Sequence, residues 1–332
     1  MPNTVPEATA VNAPVREIRV AVGVVVRDGR LLIARRPDHV HQGGLLEFPG
    51  GKVEPGETTP QALVRELAEE TGLTVAESSL SPLICIRHDY GDKRVLLDVW
   101  RTEQASGEAR GLEGQPVFWL APEALEDAQF PEANRPIIRA LRLPPQLAIT
   151  GDAGELALAL QRLEAGLPVL AEAAPLVLLR APALAPLDYQ AFANRAIPLC
   201  QARGRSALVH GHPDRFAQVP GAAGLHLPWR EAARLSARPV PASAWLGVSC
   251  HDAEQLRHAA SLGADYATLG PVLPTATHPG EPGIGWDVFA DLVAKATLPV
   301  YALGGVGPAM TGQAIERGGQ GIAGIGFWWP RR

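Results

Sequence analysis

The chain has 332 residues, 46% of them hydrophobic and 20% charged, with a formal net charge of -5. That length admits two domains, each able to bury a core, and the composition is that of a globular chain. The slight acidity removes any global electrostatic ground for a stable nucleic-acid partner. No segment has the apolar length of a membrane span. Residues 1–16 lack the basic head and apolar core of a secretory leader, so they are expected to form a flexible tail. Cys85, Cys200 and Cys250 are too widely spaced for a thiol pair or a zinc knuckle and read as reduced thiols of a cytoplasmic protein.

In chain order, the β-branched run Ile18 to Val26 predicts a strand, and Arg27-Asp28-Gly29-Arg30 predicts the turn of a hairpin completed by Leu31 to Ala34. A helix is predicted over Pro60 to Glu70, with Thr58 or Thr59 as cap and Gly72 as stop. Strands follow at Leu83 to Arg87, Val95 to Arg101 and Val117 to Leu120, then a helix from Arg135 to Leu143 that ends at Pro144-Pro145. Residues 17–144 therefore read as an α+β domain, a mixed sheet with packed helices. Residues 145–332 change rhythm: eight short apolar runs, from Leu147-Ile149 to Ile322-Ile325, alternate with helix-like stretches such as Asp252 to Leu262 and Pro308 to Arg317. This suggests a (β/α)8 TIM-type barrel, with a doubly wound sheet left open because periodicity does not separate the two.

The chemistry concentrates on the first helix. Glu66, Glu69 and Glu70 are spaced i, i+3, i+4 and share one face. Clustered carboxylates repel unless something neutralises them, and Mg²⁺, shared with substrate phosphates, does so through oxygen ligands. Arg65 stands four residues before Glu69 and can brace it, the bend at Glu54-Pro55-Gly56-Glu57 adds a fourth carboxylate, and Gly50-Gly51 leaves backbone free to approach a metal or phosphate. A salt-bridged acidic surface would account for Glu-x-x-Glu-Glu taken alone.

The surrounding residues decide the matter. Gly51, five residues, Glu57, seven residues, Arg65-Glu66, an aliphatic residue, one residue, Glu69-Glu70, one residue, Gly72 and an aliphatic residue match the Nudix box without a departure. The resemblance implies a Nudix fold and hydrolysis of a nucleoside diphosphate linked to another group. It also implies a metal shell of Gly50, Glu57, Glu66, Glu69 and Glu70 around Mg²⁺ (Mn²⁺ as a substitute), with Glu66 as ligand or base and Arg65 orienting a glutamate.

Beyond the box, Ala21-Val22-Gly23, Arg35-Arg36, Leu46-Glu47-Phe48-Pro49-Gly50-Gly51, Gly114-Gln115-Pro116 and Phe130-Pro131-Glu132-Ala133-Asn134-Arg135-Pro136 resemble the MutT-type 8-oxo-dGTP diphosphatases, which sanitise the nucleotide pool for DNA replication and repair. That resemblance places purine recognition on Asn134, whose amide donates and accepts at once. It places a nucleotide contact on Arg36, a pocket wall on Phe130, and a metal-binding or basic carboxylate on Glu113. A base-contacting cation falls on Lys93 or Arg94. On the residues alone, Asn134 reads equally well as a helix cap, Arg36 as a surface arginine and Phe130 as core. The expected reaction is in-line attack of water on a diphosphate phosphorus, giving 8-oxo-dGMP and pyrophosphate.

In the second half, Gly247 to His251, Gly263 to Tyr266, Leu269 to Thr275, Ala302 to Val306 and Gly321 to Ala323 resemble thiamine-phosphate synthase and its TenI-like relatives. Glycine turns after late barrel strands hold phosphate through backbone N–H groups, so Gly304, Gly305, Gly324 and Thr275 are the candidates for a phosphorylated small molecule; tight turns alone would explain the glycines too. The family's catalytic pattern is broken. Ala181 and Pro182 stand where its glutamate and lysine belong, Pro228-Trp229-Arg230 replaces an acidic run, and Thr275-Ala276-Thr277-His278 lacks the phosphate-loop lysine. Ordinary synthase activity is not expected. The fusion leaves a second substrate class open, thiamine-related pyrophosphates such as hydroxymethylpyrimidine pyrophosphate. A non-catalytic nucleotide sensor conflicts with the unbroken set of acids.

Overall fold

The computed structural model describes residues 17–40, 42–90, 94–170, 174–275, 280 and 282–329. The expected tail at 1–16, Lys93, and the loop residues Thr277 and His278 lie outside the described residues.

Strand β1 (Glu17–Arg27) turns at Asp28-Gly29 into β2 (Arg30–Arg35), and both turn residues have positive φ, +51° and +71°. Two very short strands follow, β3 (Leu46–Glu47) and β4 (Gly50–Lys52), then helix α1 (Thr59–Thr71). Strand β5 (Thr74–Val75) precedes β6 (Ser81–Asp89), β7 (Arg94–Thr102), β8 (Ala105–Ser106) and β9 (Val117–Leu120). Helix α2 (Arg135–Arg142) closes the first half. The main sheet is mixed: β1 runs parallel to β7 and antiparallel to both β2 and β4, β6 is antiparallel to β7, and β3 and β9 both pair with β2. Strands β5 and β8 form a separate two-stranded sheet.

Alternation along β1 sets the two faces. Ala21 and Val25 pack under α1 with Ala62, Leu63 and Leu67, whereas Val22 and Val24 face Phe48, Leu97, Phe130, Ile137 and Ile138 beneath α2. The sheet is thus clasped by one helix on each side.

From Gln146 the chain alternates strand and helix: β10 (Gln146–Ile149), α3 (Leu156–Gly166), β11 (Leu176–Leu179), α4 (Pro186–Gln201), β12 (Ser206–His210), α5 (Asp214–Gln218), β13 (Gly224–Leu227) and α6 (Trp229–Ala232). There follow β14 (Trp245–Cys250), α7 (Ala253–Ser261), β15 (Tyr266–Leu269), α8 (Gly285–Val293), β16 (Val300–Leu303), α9 (Thr311–Glu316) and β17 (Gly321–Gly324). All eight strands are parallel, and β10 pairs with β17. That pairing closes the barrel and excludes the doubly wound alternative. Leu147, Ile149, Leu176, Leu178, Leu208, Tyr266 and Tyr301 form one apolar cluster inside the barrel, and a larger one fills the space between strands and helices. The interior is a packed core. Among the described residues, no helix is long and apolar enough to cross a membrane.

Candidate active site

The acidic helix is built by local chemistry. The Thr58 hydroxyl accepts from the Gln61 N–H at 3.3 Å, and the Gln61 side chain accepts from the Thr58 N–H at 3.0 Å, a reciprocal capping box. Gly72 ends the helix at φ +70°, a conformation that costs a residue with a Cβ. Thr59, the other expected cap, is buried and donates instead to Asp98 at 2.7 Å.

Arg65 is the hub of the acid cluster. Its Nε and Nη2 donate to the two oxygens of Glu57 at 2.9 and 3.0 Å, its Nη1 donates to Glu66 at 2.8 Å and Glu69 at 3.1 Å, and Nη2 also reaches the Lys52 carbonyl at 3.2 Å. These bonds, with one from the Glu54 N–H, hold the Glu57 carboxyl down at about 2 and raise Arg65 above its ordinary value. Glu70 is different: it lies half-buried beside the strand, accepting from the Gly50 N–H at 3.1 Å. Burial pushes its carboxyl up to about 7, and the charges of Glu66, Glu47 and Glu113 push the same way.

Pairing of β4 with β1 opposes Gly51 to Ala21 and Gly50 to Val22, which presses the Gly50-Gly51 backbone against α1. A Cβ on Gly51 would stand 2.2 Å from the Glu66 carboxyl carbon, and one on Gly50, at φ +145°, would stand 2.1 Å from the Ala21 carbonyl oxygen. The loop before β9 docks on the C-terminal end of α1. Leu112 N–H donates to the Glu70 carbonyl at 2.9 Å, and the Gln115 amide does so at 3.1 Å. Glu113 itself is exposed, with its N–H bound to the Gln115 side chain at 3.0 Å.

The donor set suits a hard divalent cation: carboxylates of Glu66 and Glu70 beside a bare glycine backbone, with repelling negative charge felt at Glu70. Of the six residues expected around the metal, Glu57, Glu66 and Glu69 all bond to Arg65, Glu70 accepts from the Gly50 N–H, and Glu113 stands exposed in its loop; among the described residues no three His, Cys, Asp or Glu side chains form a ready metal cage.

A cleft of about 270 Å³ runs from Gly50 across the sheet, lined by Arg36, Glu47, Phe48, Tyr90, Ala133 and Asn134 among others. Arg36 is ion-paired with Glu47, whose carboxyl is raised by burial against the opposing pull of Arg36. Asn134 occupies the N-cap position of α2 and makes no side-chain cap bond, so its amide is not used for capping. Two other expected nucleotide contacts lie elsewhere. Phe130 is 1% exposed and stacks with Phe48 at 5.6 Å, and it is Phe48, with Tyr90, that lines the cleft. Arg94 opens β7 as an exposed residue, while its neighbours Tyr90 and Val95 reach the cleft. Glu47, Phe48 and Gln115 acquire their partners Arg36, Phe130 and the Glu70 carbonyl only through long-range pairing, which no local sequence pattern displays.

In the barrel the candidate phosphate glycines face their own chain. A Cβ on Gly304 would meet Pro271 at 2.7 Å, one on Gly305 the Pro274 carbonyl at 2.6 Å, and one on Gly324 the Trp328 ring at 3.3 Å. Thr275 sits partly buried in the same loop. Deeper in the mouth, His226 bridges the Tyr266 hydroxyl at 3.0 Å and the Ser249 hydroxyl at 2.9 Å, and its ring stacks with His210 at 5.9 Å. Burial lowers both histidines, His226 to about 3. His251 donates from Nδ1 to the Gly270 carbonyl at 2.6 Å, and His212 is exposed beside Asp214.

Two families match separate stretches of the chain. Residues 21–140 match the NUDIX domain family and residues 148–326 the thiamine monophosphate synthase family. An 8-oxo-dGTP diphosphatase of Escherichia coli (strain K12) is 39% identical over 128 residues, 38% of this chain and 98% of the relative. A CTP pyrophosphohydrolase of the same organism is 39% identical over 127 residues, 37% of this chain and 90% of the relative. A solved thiamine phosphate pyrophosphorylase from Pyrococcus furiosus is 20% identical with a TM-score of 0.43, covering 54% of this chain and 84% of that one.

Proposed function

Because the chain belongs to the Nudix family through residues 21–140 and to the thiamine monophosphate synthase family through residues 148–326, we propose that it is a Mg²⁺-dependent nucleoside triphosphate pyrophosphohydrolase whose substrate is 8-oxo-dGTP. The Nudix domain is a pyrophosphohydrolase by family. The observation that carries the finer reading is the cleft in which the uncapped amide of Asn134 and the Phe48 wall lead directly to Gly50, the partner of Glu70. In this reading base recognition and the acid cluster meet at Gly50.

When bound, Mg²⁺ supplies Lewis acidity that activates water and neutralises charge on the phosphate oxygens. Glu66, Glu69 and Glu70 are the proposed ligands, with Gly50, Glu57 and Glu113 contributing; Arg65 fixes Glu57, Glu66 and Glu69 in their rotamers. Asn134 reads the purine edge and Arg36 orients the nucleotide. Water attacks phosphorus in line, and the products are 8-oxo-dGMP and pyrophosphate, a step of nucleotide-pool sanitation in the cytoplasm. In this reading residues 17–144 are the hydrolase, and residues 145–332 are a phosphoryl-ligand module without ordinary synthase activity.

One observation favours a second reading. The barrel's family match on the same chain points to hydroxymethylpyrimidine pyrophosphate or a related thiamine intermediate as substrate. A single panel separates the two: pyrophosphate or phosphate release from 8-oxo-dGTP, dGTP, CTP and hydroxymethylpyrimidine pyrophosphate at equal concentration, with Mg²⁺, on the full chain. The highest kcat/KM is expected for 8-oxo-dGTP, with turnover abolished in Glu70→Gln. A clear preference for the pyrimidine pyrophosphate would transfer the assignment to the second reading. Full turnover in Glu69→Gln and Glu70→Gln would remove the metal site.

A further inference from the structure

Helix α2 packs in the Nudix core on one side and is tied to the barrel by polar contacts on the other. Its inner face, Ile137 and Ile138, is buried in the Nudix core. Its outer face is fastened to the floor of the barrel. Arg139 is ion-paired with Asp265, which is 3% exposed and sits immediately before β15. The Gln320 amide donates to the carbonyls of Ala140 at 3.1 Å and Leu143 at 3.0 Å, capping the last turn of the helix. Beyond it, the Tyr301 hydroxyl donates to the Pro144 carbonyl, and the Ile322 N–H to the Pro145 carbonyl at 3.0 Å.

At its other end α2 carries the base cleft. The turn Glu132–Asn134 runs straight into the helix, Asn134 and Arg135 are both in right-handed helical backbone, and the Asn134 N–H is tied to the Pro131 carbonyl at 2.9 Å. Pro131, Ala133 and Asn134 all line the cleft. Arg139 stands five residues on, about 7.5 Å along the axis at 1.5 Å per residue. A helix this short transmits a tilt at one end to the other, and no acid of the catalytic cluster lies on it.

We propose that the barrel acts as a rigid mount for the base-recognition wall of the Nudix cleft, with Arg139 as the positioning residue through its buried partner Asp265. The inference rests on the proposed nucleotide activity for its kinetic consequence, but its structural consequence stands independently. Asp265 also accepts from Arg238 at 2.7 Å and from the Leu246 N–H at 2.7 Å, so removing the Arg139 arm leaves it with two partners and the barrel intact.

The test uses the full chain as Arg139→Gln and Arg139→Lys. In Arg139→Gln, amide hydrogen exchange over residues 134–138 is expected to accelerate at least tenfold, while α1 amides keep their protection. KM for the preferred purine nucleotide is expected to rise about fivefold or more with kcat within twofold of wild type, since α1 holds the acids by itself. Arg139→Lys, which keeps the charge, should recover more than half of the logarithmic KM loss. Unchanged exchange over 134–138 overturns the proposal, and so does a fall in kcat equal to the fall in kcat/KM. A wild-type chain that hydrolyses no nucleotide would sink the functional reading, leaving the exchange measurement to decide the role of Arg139.

Discussion

Arg65 grips Glu57 through two parallel hydrogen bonds, 2.9 Å from Nε and 3.0 Å from Nη2, and spends its remaining nitrogen on Glu66 and Glu69. One planar guanidinium thereby sets the position of three carboxylates, a task that depends on the fixed fork of its donors. The substitution Arg65→Lys keeps the charge and loses the fork. Charge-assisted hydrogen bonds contribute on the order of 1.5–3 kcal/mol each and less where exposed; with Glu69 more than half exposed, losing the Glu66 and Glu69 contacts should lower kcat/KM by about 10²-fold. The half-saturating Mg²⁺ concentration should rise in parallel. A variant with normal Mg²⁺ dependence and turnover would show that the three acids hold their places without Arg65.

Gly51 offers a cleaner probe of Glu66. A methyl group there would stand 2.2–2.4 Å from the carboxyl atoms of Glu66 and must displace them. The obstacle is the end of a flexible side chain, so the strand need not move. Gly51→Ala is therefore expected to keep its melting temperature within about 2 °C, a surface-like stability effect, while kcat falls by 10²-fold or more, on the order of 2.7 kcal/mol in the barrier. Wild-type turnover in a folded Gly51→Ala chain would take Glu66 out of the mechanism.

The parts of this architecture that could be read in advance are those encoded by near neighbours. The ends of α1 fall within one residue of Pro60 to Glu70 because Thr58, Gln61 and Gly72 terminate it by local bonds. Val117–Leu120 has the expected bounds, and the barrel strands Leu176–Leu179, Gly224–Leu227, Tyr266–Leu269 and Val300–Leu303 fall on short apolar runs, because each is bounded on at least one side by proline, glycine or a charged residue. What escaped was non-local. Strands of two or three residues, such as Leu46–Glu47 and Gly50–Lys52, are too short to show a period, and they exist because β2 and β1 lie alongside to pair with them. Barrel closure required residues 146 and 322 to meet. Phe130 is the wall expected from sequence, and only the long-range stacking of the two rings shows that it lies behind Phe48, which lines the cleft.

Asn134 has two competing roles that make opposite demands on a mutant. A capping asparagine replaced by alanine loses about 1 kcal/mol of stability, whereas an amide that reads a base loses binding and leaves the fold alone. Since Asn134 makes no cap bond and faces the cleft, Asn134→Ala should melt within about 2 °C of wild type. Its kcat/KM for 8-oxo-dGTP should fall by about 10- to 100-fold, corresponding to roughly 1–3 kcal/mol for unpaired polar groups. Discrimination against dCTP should shrink with it. A destabilised variant with intact discrimination would return Asn134 to capping.

His226 ties the barrel's stability to pH. Its imidazole is fully buried, bonded to Tyr266 and Ser249, and held down at about 3 by burial first and by the charge of Arg180 second. In the unfolded chain the same group has its ordinary value near 6.5. Between those two values the unfolded state binds the extra proton, so stability is complete above about pH 6.5 and is lost as the pH falls. The slope is about 1.4 kcal/mol per pH unit for one proton, or roughly 2 kcal/mol between pH 6.5 and 5. His210, stacked on His226 and lowered by burial in the same way, adds to the slope. Urea denaturation at pH 7, 6 and 5, followed by fluorescence of the barrel tryptophans, measures it directly. His226→Asn should be less stable than wild type at pH 7, because the Tyr266 and Ser249 hydroxyls lose their shared partner, and should depend less on pH by about one proton. Parallel pH profiles for the two proteins would mean that His226 is already charged in the folded barrel and that its two hydroxyl partners stabilise the cation.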